Sequence, residues 1–101
     1  MKPSADCSRE EVAGAVQDAN AVIIDCRTPG ETAGGMVTGA QELDWLAGAW
    51  TDEAVQSLDP AKSHYLYCRS GNRSGQAAKL LRAKGFDSVF NAGAYGSLEG
   101  L

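Results

Sequence analysis

The chain is short of cysteine, histidine, basic residues and long apolar runs, and each shortage excludes something. Its three cysteines, Cys7, Cys26 and Cys68, are odd in number and widely spaced. That excludes the paired framework of a small secreted disulfide scaffold. There is no Cys-x-x-Cys pair and a single histidine, so a structural zinc site lacks ligands and no metal is expected. No apolar run approaches the length of a membrane span. Met1-Lys2-Pro3-Ser4 leads into polar sequence without the apolar stretch of an export signal. The expected compartment is the cytoplasm, or the periplasm if a signal peptide was removed. Nine Lys and Arg against thirteen Asp and Glu leave a formal charge of −4. This balance argues against sequence-independent nucleic-acid binding and against a polybasic membrane patch. Twelve Gly and three Pro are too few for a low-complexity chain.

What is present fits one ordinary domain spanning residues 1–101, with 44% hydrophobic and 22% charged residues. Ser8-Arg9-Glu10-Glu11 fits a capping box. Behind it Val12, Ala15, Val16 and Ala19 recur at helical spacing, predicting a short amphipathic helix that fades at Asn20. Ala21 to Asp25 reads as a buried strand, continuous and β-branched. Pro and Gly between Arg27 and Gly39 predict a long loop. Thr51 caps a second short helix over Asp52 to Leu58, stopped by Asp59-Pro60. His64 to Tyr67 is the next strand, with Cys68 at its carboxyl end. A loop, Arg69 to Arg73, precedes a helix from Ser74 to Lys84 with Ala77, Leu80 and Leu81 on its apolar face. Gly85 suits a left-handed cap, with Phe86 folding back on Leu81. Ser88 to Asn91 is a third strand. This alternation predicts an α/β domain with a small, mostly parallel sheet flanked by helices. Ligands of such sheets bind beyond the carboxyl ends of the strands, where Cys68 falls.

The segment Cys68-Arg69-Ser70-Gly71-Asn72-Arg73-Ser74-Gly75 carries the chemistry. Its small residues let a tight loop turn backbone N–H groups inward, and the following helix adds its positive end. Arg69 and Arg73 add two permanent charges. At a thiol pKa of about 8.5, roughly 3% is ionised at pH 7. Lowering it by about two units ionises most of it and requires roughly 2.7 kcal/mol of anion stabilisation. Two arginines and inward amides are expected to supply that, making Cys68 the candidate nucleophile. A Cys-x5-Arg phosphatase loop preceded by His differs, because here Tyr67 precedes the cysteine and the loop is Cys-x4-Arg. The smaller ring suits one extra sulfur better than a tetrahedral phosphate. His64 lies four residues along the strand, about 13 Å away at strand rise, and is read as an ordinary strand residue.

On these residues the chain resembles the rhodanese-like single-domain sulfurtransferases. Val22 to Glu31 is similar to the family's strand and D-x-R-x-P-x-E signature, and Gly35 to Ala40 takes the place of its G-H-I-x-G-A segment. Tyr67 to Gly75 is similar to the C-R-x-G-x-R-S active-site loop, and Asn91-Ala92-Gly93 to the terminal G-G element. The tail from Tyr67 most resembles the phage-shock-type thiosulfate sulfurtransferases. The resemblance implies a double displacement. Cys68 takes the outer sulfur of thiosulfate as a persulfide, and cyanide or a thiol then removes it. It implies that amides from Arg69 through Ser70, Gly71 and Asn72 to Arg73 hold the persulfide, and that Arg69 and Arg73 hold the sulfonate. No metal or organic cofactor is implied. A sulfur-relay module serving a protein acceptor, and a phosphatase or arsenate-reductase-like enzyme, are the alternatives. Met36 stands where the family often has His, and Thr32 where it often has an aromatic residue. The tryptophan that commonly follows the terminal glycines is absent near Ser97. These departures concern the wall of the site and its preference.

The other candidates are structural. Asp25 and Arg27 are expected to act as scaffold, with Arg27 pairing with Glu31 to pin the long loop. Cys26 ends a strand beside that of Cys68 and is expected to be a small core residue, with a resolving thiol as the alternative. Cys7 is expected to pack beside the first helix, and Trp45 and Trp50 to be core or rim aromatics. The net charge divides unevenly. Pro60 to Phe86 holds six basic residues and no acid, and the rest holds three basic against thirteen acidic. A basic active-site segment on an acidic body can draw in a small anion.

Overall fold

The computed structural model describes residues 5–101. Helix α1, Arg9–Val16, starts at the expected capping box, with Ser8 and Glu11 each satisfying the other's backbone amide. Strand β1 is Ala21–Asp25, and α2 is a single turn, Pro29–Thr32. β2 is the two-residue strand Gln41–Glu42, and α3 is Asp52–Gln56. β3 is Ser63–Cys68, α4 is Asn72–Ala83, and β4 is Val89–Ala94, followed by a 3-10 turn at Tyr95–Ser97. The four strands form one sheet in the order β2-β1-β3-β4, and every pairing is parallel.

Both faces of this sheet are covered, which is why β1 and β3 read as continuous apolar runs. On one face Ile24, Cys26, Leu66 and Cys68 pack against Val55 and Leu58 of the α3 region and Ala77, Ala78 and Leu81 of α4. On the other, Ile23, Tyr67 and Ala92 pack against Val12 and Ala15 of α1 and against Val37 and Leu98. Trp45 and Trp50 meet edge-on at 6.1 Å against the first cluster, and Cys7 packs against the second.

Several boundaries differ from the expectation for physical reasons. The segment Arg27 to Gly39 is not all loop. Pro29 sits at the first turn of α2, where its missing N–H costs nothing, and Glu31 caps back on Thr28. α4 begins at Asn72 rather than Ser74, because Gly71 takes the left-handed conformation (φ 97°) that turns the chain straight into the helix. α3 ends at Gln56 and the first helix at Val16, each shorter than its apolar spacing suggests. β4 continues three residues past Asn91, across an irregularity in its register with β3 between Leu66 and Tyr67. β2 adds a strand without an apolar signature, since both of its residues are exposed. The end of α4 is as expected. Gly85 has φ 95°, its N–H bonds Arg82 O, and the Phe86 N–H bonds Leu81 O. No helix is long and apolar enough to cross a membrane among the described residues.

Candidate active site

Strand β3 ends at Cys68, and the chain turns through Arg69 and Ser70 into α4. The thiol is fully buried between the strand and the first turn of the helix. The Gly71 N–H donates to Cys68 Sγ at 3.0 Å, and Ser74 Oγ lies 3.4 Å from the same sulfur. Burial pushes the Cys68 thiol up. Hydrogen bonds from the Ser74 hydroxyl and from the amides of Ser74, Ser70 and Gly71 outweigh that and hold it below its ordinary value. Of the two expected sources, inward amides and arginine charge, the amides lower the thiol here, joined by the Ser74 hydroxyl.

Gly71 is required at this turn. Beyond its positive φ, a side chain there would place Cβ 3.2 Å from the Cα of Gly93 on β4. That close approach is held by a residue whose role the sequence did not reveal. The buried Asn91 side chain donates to Gly71 O at 3.0 Å. Its Oδ1 accepts from Ser74 Oγ at 2.7 Å and from the Gly93 N–H at 3.0 Å. Asn91 thus ties the Cys68 loop, the first turn of α4 and the end of β4 together. The available signal was a polar side chain in an otherwise apolar strand.

The remaining expected residues divide. Arg69 and Ser70 are exposed and line a depression of about 530 Å³ with Arg73, Gly93, Ala94, Ser97 and Ala5. Arg69 also borders a second depression of about 420 Å³ with Arg27, Glu31, Tyr95 and Glu99. No carboxylate pairs with Arg69 among the described residues. Asn72 opens the helix with its side chain facing solvent, accepting from Gln76 Nε2 at 3.2 Å, while its N–H donates to Ser70 Oγ at 3.4 Å. Arg73 reaches across to Glu31, with Nη1 to Oε1 at 2.7 Å and Nη2 to Oε2 at 2.9 Å. This fork, with Thr28 donating to the same carboxylate, holds Glu31 down at about 2.

That geometry corrects the expected Arg27–Glu31 pair. Arg27 instead grips Asp25, Nε to Oδ1 at 3.0 Å and Nη2 to Oδ2 at 2.8 Å, with both residues buried. It reaches only the backbone oxygen of Glu31, at 3.5 Å. Its Nη2 also donates to Gly35 O at 2.6 Å, and its guanidinium lies 4.0 Å over the ring of Tyr95. Arg27 therefore pins the loop through Gly35, and Glu31 belongs to Arg73 because the helix start aims Arg73 back over α2. Cys26 is buried on the same face as Cys68, and its thiol is pushed up by burial, by the neighbouring Cys68 and by Asp25. His64 is buried against Phe86 with Nδ1 near Lys62 O, away from the thiol loop. Among the described residues no cluster of His, Cys, Asp or Glu is arranged to hold a metal.

Known proteins resemble this chain in sequence and fold. The chain is 32% identical over 95 residues to an Arabidopsis thaliana chloroplastic rhodanese-like/PpiC domain-containing protein, covering 89% of this chain and 32% of that protein. It is 34% identical over 71 residues to the uncharacterized Bacillus subtilis protein YqhL, covering 70% and 54%. It thus spans about a third and about half of those two relatives. Against the thiosulfate sulfurtransferase GlpE of Pseudomonas entomophila the identity is 33% over 81 residues, covering 80% and 72%. A crystal structure from Staphylococcus saprophyticus superposes with TM-score 0.76 at 27% identity, over 100% of this chain and 98% of that one. A rhodanese with anions from E. coli gives TM-score 0.69 at 26% identity, over 78% and 92%. The family profile of the rhodanese-like domain matches residues 8–95, and with the parallel sheet and the cysteine loop at its carboxyl edge this chain belongs to the rhodanese-like domain family.

Proposed function

We propose that this chain is a sulfurtransferase that carries a sulfane sulfur on Cys68, with thiosulfate as donor and cyanide or a thiol as acceptor. The observation that carries the reading is the Cys68 sulfur at the carboxyl end of β3, held by the Gly71 N–H at 3.0 Å. The names of relatives such as the Pseudomonas thiosulfate sulfurtransferase support the donor. In the first step the Cys68 thiolate attacks the outer sulfur of thiosulfate. The bond to the sulfonate breaks, and sulfite leaves with its electron pair. The persulfide anion that remains is stabilised by the same amides that stabilised the thiolate, so little reorganisation is needed between steps. Arg69, exposed at the rim, meets the sulfonate end together with the outer edge of Arg73. In the second step the acceptor attacks the outer sulfur and the thiolate leaves, restoring the start. The donor and acceptor supply every atom exchanged.

Intact mass after incubation with thiosulfate tests this. The expected result is a gain of one sulfur that is lost in Cys68→Ser and released as thiocyanate by cyanide. No sulfur gain, together with hydrolysis of a phosphate ester, overturns it. A loaded sulfur that resists cyanide but passes to a protein acceptor would replace the cyanide or small-thiol step with a relay.

A further inference from the structure

Cys26 is a buried thiol that the proposed reaction does not use, yet the sheet sets it beside the thiol that it does use. β1 and β3 pair in register up to Asp25 and Tyr67. The Cys26 N–H donates to Tyr67 O at 2.9 Å, the bond that closes this last pair, and each cysteine is the next residue along the chain. Alternation turns both side chains to the α3 and α4 face, where both are fully buried in one cluster and both are free thiols. Cys7 packs with the cluster on the opposite face. Neighbouring strands run about 4.8 Å apart, inside the Cα separation of about 4.4–6.8 Å that a disulfide spans.

We propose that Cys26 is a resolving thiol, which closes a disulfide with Cys68 when peroxide oxidises the latter and so protects it from irreversible oxidation. The Cys68 thiolate attacks one peroxide oxygen, the O–O bond breaks, and hydroxide leaves, giving Cys68 sulfenic acid. Cys26 sulfur then attacks Cys68 sulfur. The S–O bond breaks, hydroxide leaves, and it combines with the Cys26 proton as water. Two electrons pass from the two thiols to one peroxide. The order follows from the surroundings. The Cys26 thiol is held up partly by the Cys68 charge, and that opposition disappears once Cys68 is the neutral sulfenic acid. Without a neighbour, a sulfenic acid facing excess peroxide proceeds to sulfinic and sulfonic acid.

The proposal rests on the Cys68 thiolate of the reading above but not on its sulfur donor. The full chain is treated with hydrogen peroxide and its remaining thiols are alkylated in denaturant. Digestion and mass spectrometry then locate the oxidised cysteines. The expected product is a Cys26–Cys68 peptide pair that dithiothreitol separates, with recovery of thiosulfate-dependent sulfur loading. Cys26→Ala is expected to load sulfur as the parent does, but to lose at least tenfold more loading irreversibly after the same treatment, with Cys68 as sulfinic or sulfonic acid. Should Cys26→Ala fold poorly, the mapping on the parent chain decides alone. Sulfinic Cys68 beside an alkylatable Cys26, a disulfide to Cys7, or no oxidation of Cys68 would each overturn the proposal. Sulfur loading without the disulfide sinks this proposal only, and the disulfide without sulfur loading sinks only the sulfurtransferase reading.

Discussion

Ser74→Ala tests how the thiol is activated. The Ser74 hydroxyl has one proton and two acceptors, Cys68 Sγ at 3.4 Å and Asn91 Oδ1 at 2.7 Å. A hydrogen bond to a charged group contributes about 1.5–3 kcal/mol. The long, shared contact to sulfur places this one at or just below the lower end, about 1.4 kcal/mol, which corresponds to about one pKa unit. The Cys68 titration midpoint is therefore expected to rise by about one unit in Ser74→Ala and to return in Ser74→Thr. Alkylation rate against pH reads it cleanly. Burial and nearby Glu11 and Asp6 push Cys7 to about 11, and Cys26 is held higher still by burial, so neither reports near neutrality. Sulfur loading should fall up to about tenfold near neutral pH and recover at high pH, where both proteins are ionised. The linkage has a definite sign. A depressed Cys68 pKa adds stability above the ordinary thiol pKa, and that stability is lost as pH falls through the folded value. The substitution should shrink this gain of stability with pH. A midpoint that moves by less than about 0.3 unit would refute the hydroxyl's part and leave activation to the amides alone.

Two further outcomes follow from the ion pairs around the loop. Asp25→Ala leaves the Arg27 charge buried without a carboxylate, beside carbonyls and the Tyr95 ring, and is expected to cost about 3–5 kcal/mol in urea unfolding. A loss under about 1 kcal/mol would show that the guanidinium escapes to solvent. Glu31, held at about 2 against 4.5 by the Arg73 fork, contributes stability that is present above about 4.5 and lost as pH falls toward 2. Its side chain is 26% exposed, so solvent screening discounts the effect to about 1 kcal/mol. Urea midpoints taken across that pH window should lose this component in Glu31→Gln.

The parallel sheet was legible because both faces of β1 and β3 are covered, which leaves an unbroken apolar signature at Ile23, Ile24 and Leu66. The capping box at Ser8 and the glycine stop at Gly85 are local chemistry, so four or five residues suffice to read them. Partner choice is different. Arg27 could be given to Glu31 by spacing four residues apart, but the turn at Pro29 carries that carboxylate toward α4, while Asp25 stays beneath the guanidinium. Asn91 lies seventeen residues from Ser74 and twenty from Gly71, and nothing local couples them. The register irregularity between Leu66 and Tyr67 that accompanies this meeting leaves no apolar trace.

Charge shows the same limit more sharply. Along the chain, Pro60 to Phe86 looks like a purely basic segment able to draw in a small anion. In the fold three of its six cations meet acids from elsewhere: Arg73 with Glu31, Arg82 with Asp6, and Lys84 with Asp52. A guanidinium already forked to a carboxylate presents a dipole to the sulfur, and a dipole's potential falls faster with distance than a charge's. Hydrogen bonds from the Gly71 turn and Ser74, which act at contact, therefore outrank it for the thiol. Arg69 makes no ion pair among the described residues and stands at the rim of the 530 Å³ depression. In the proposed reaction the two tasks separate accordingly, with ionisation of Cys68 set inside the loop and capture of the donor's sulfonate set outside it.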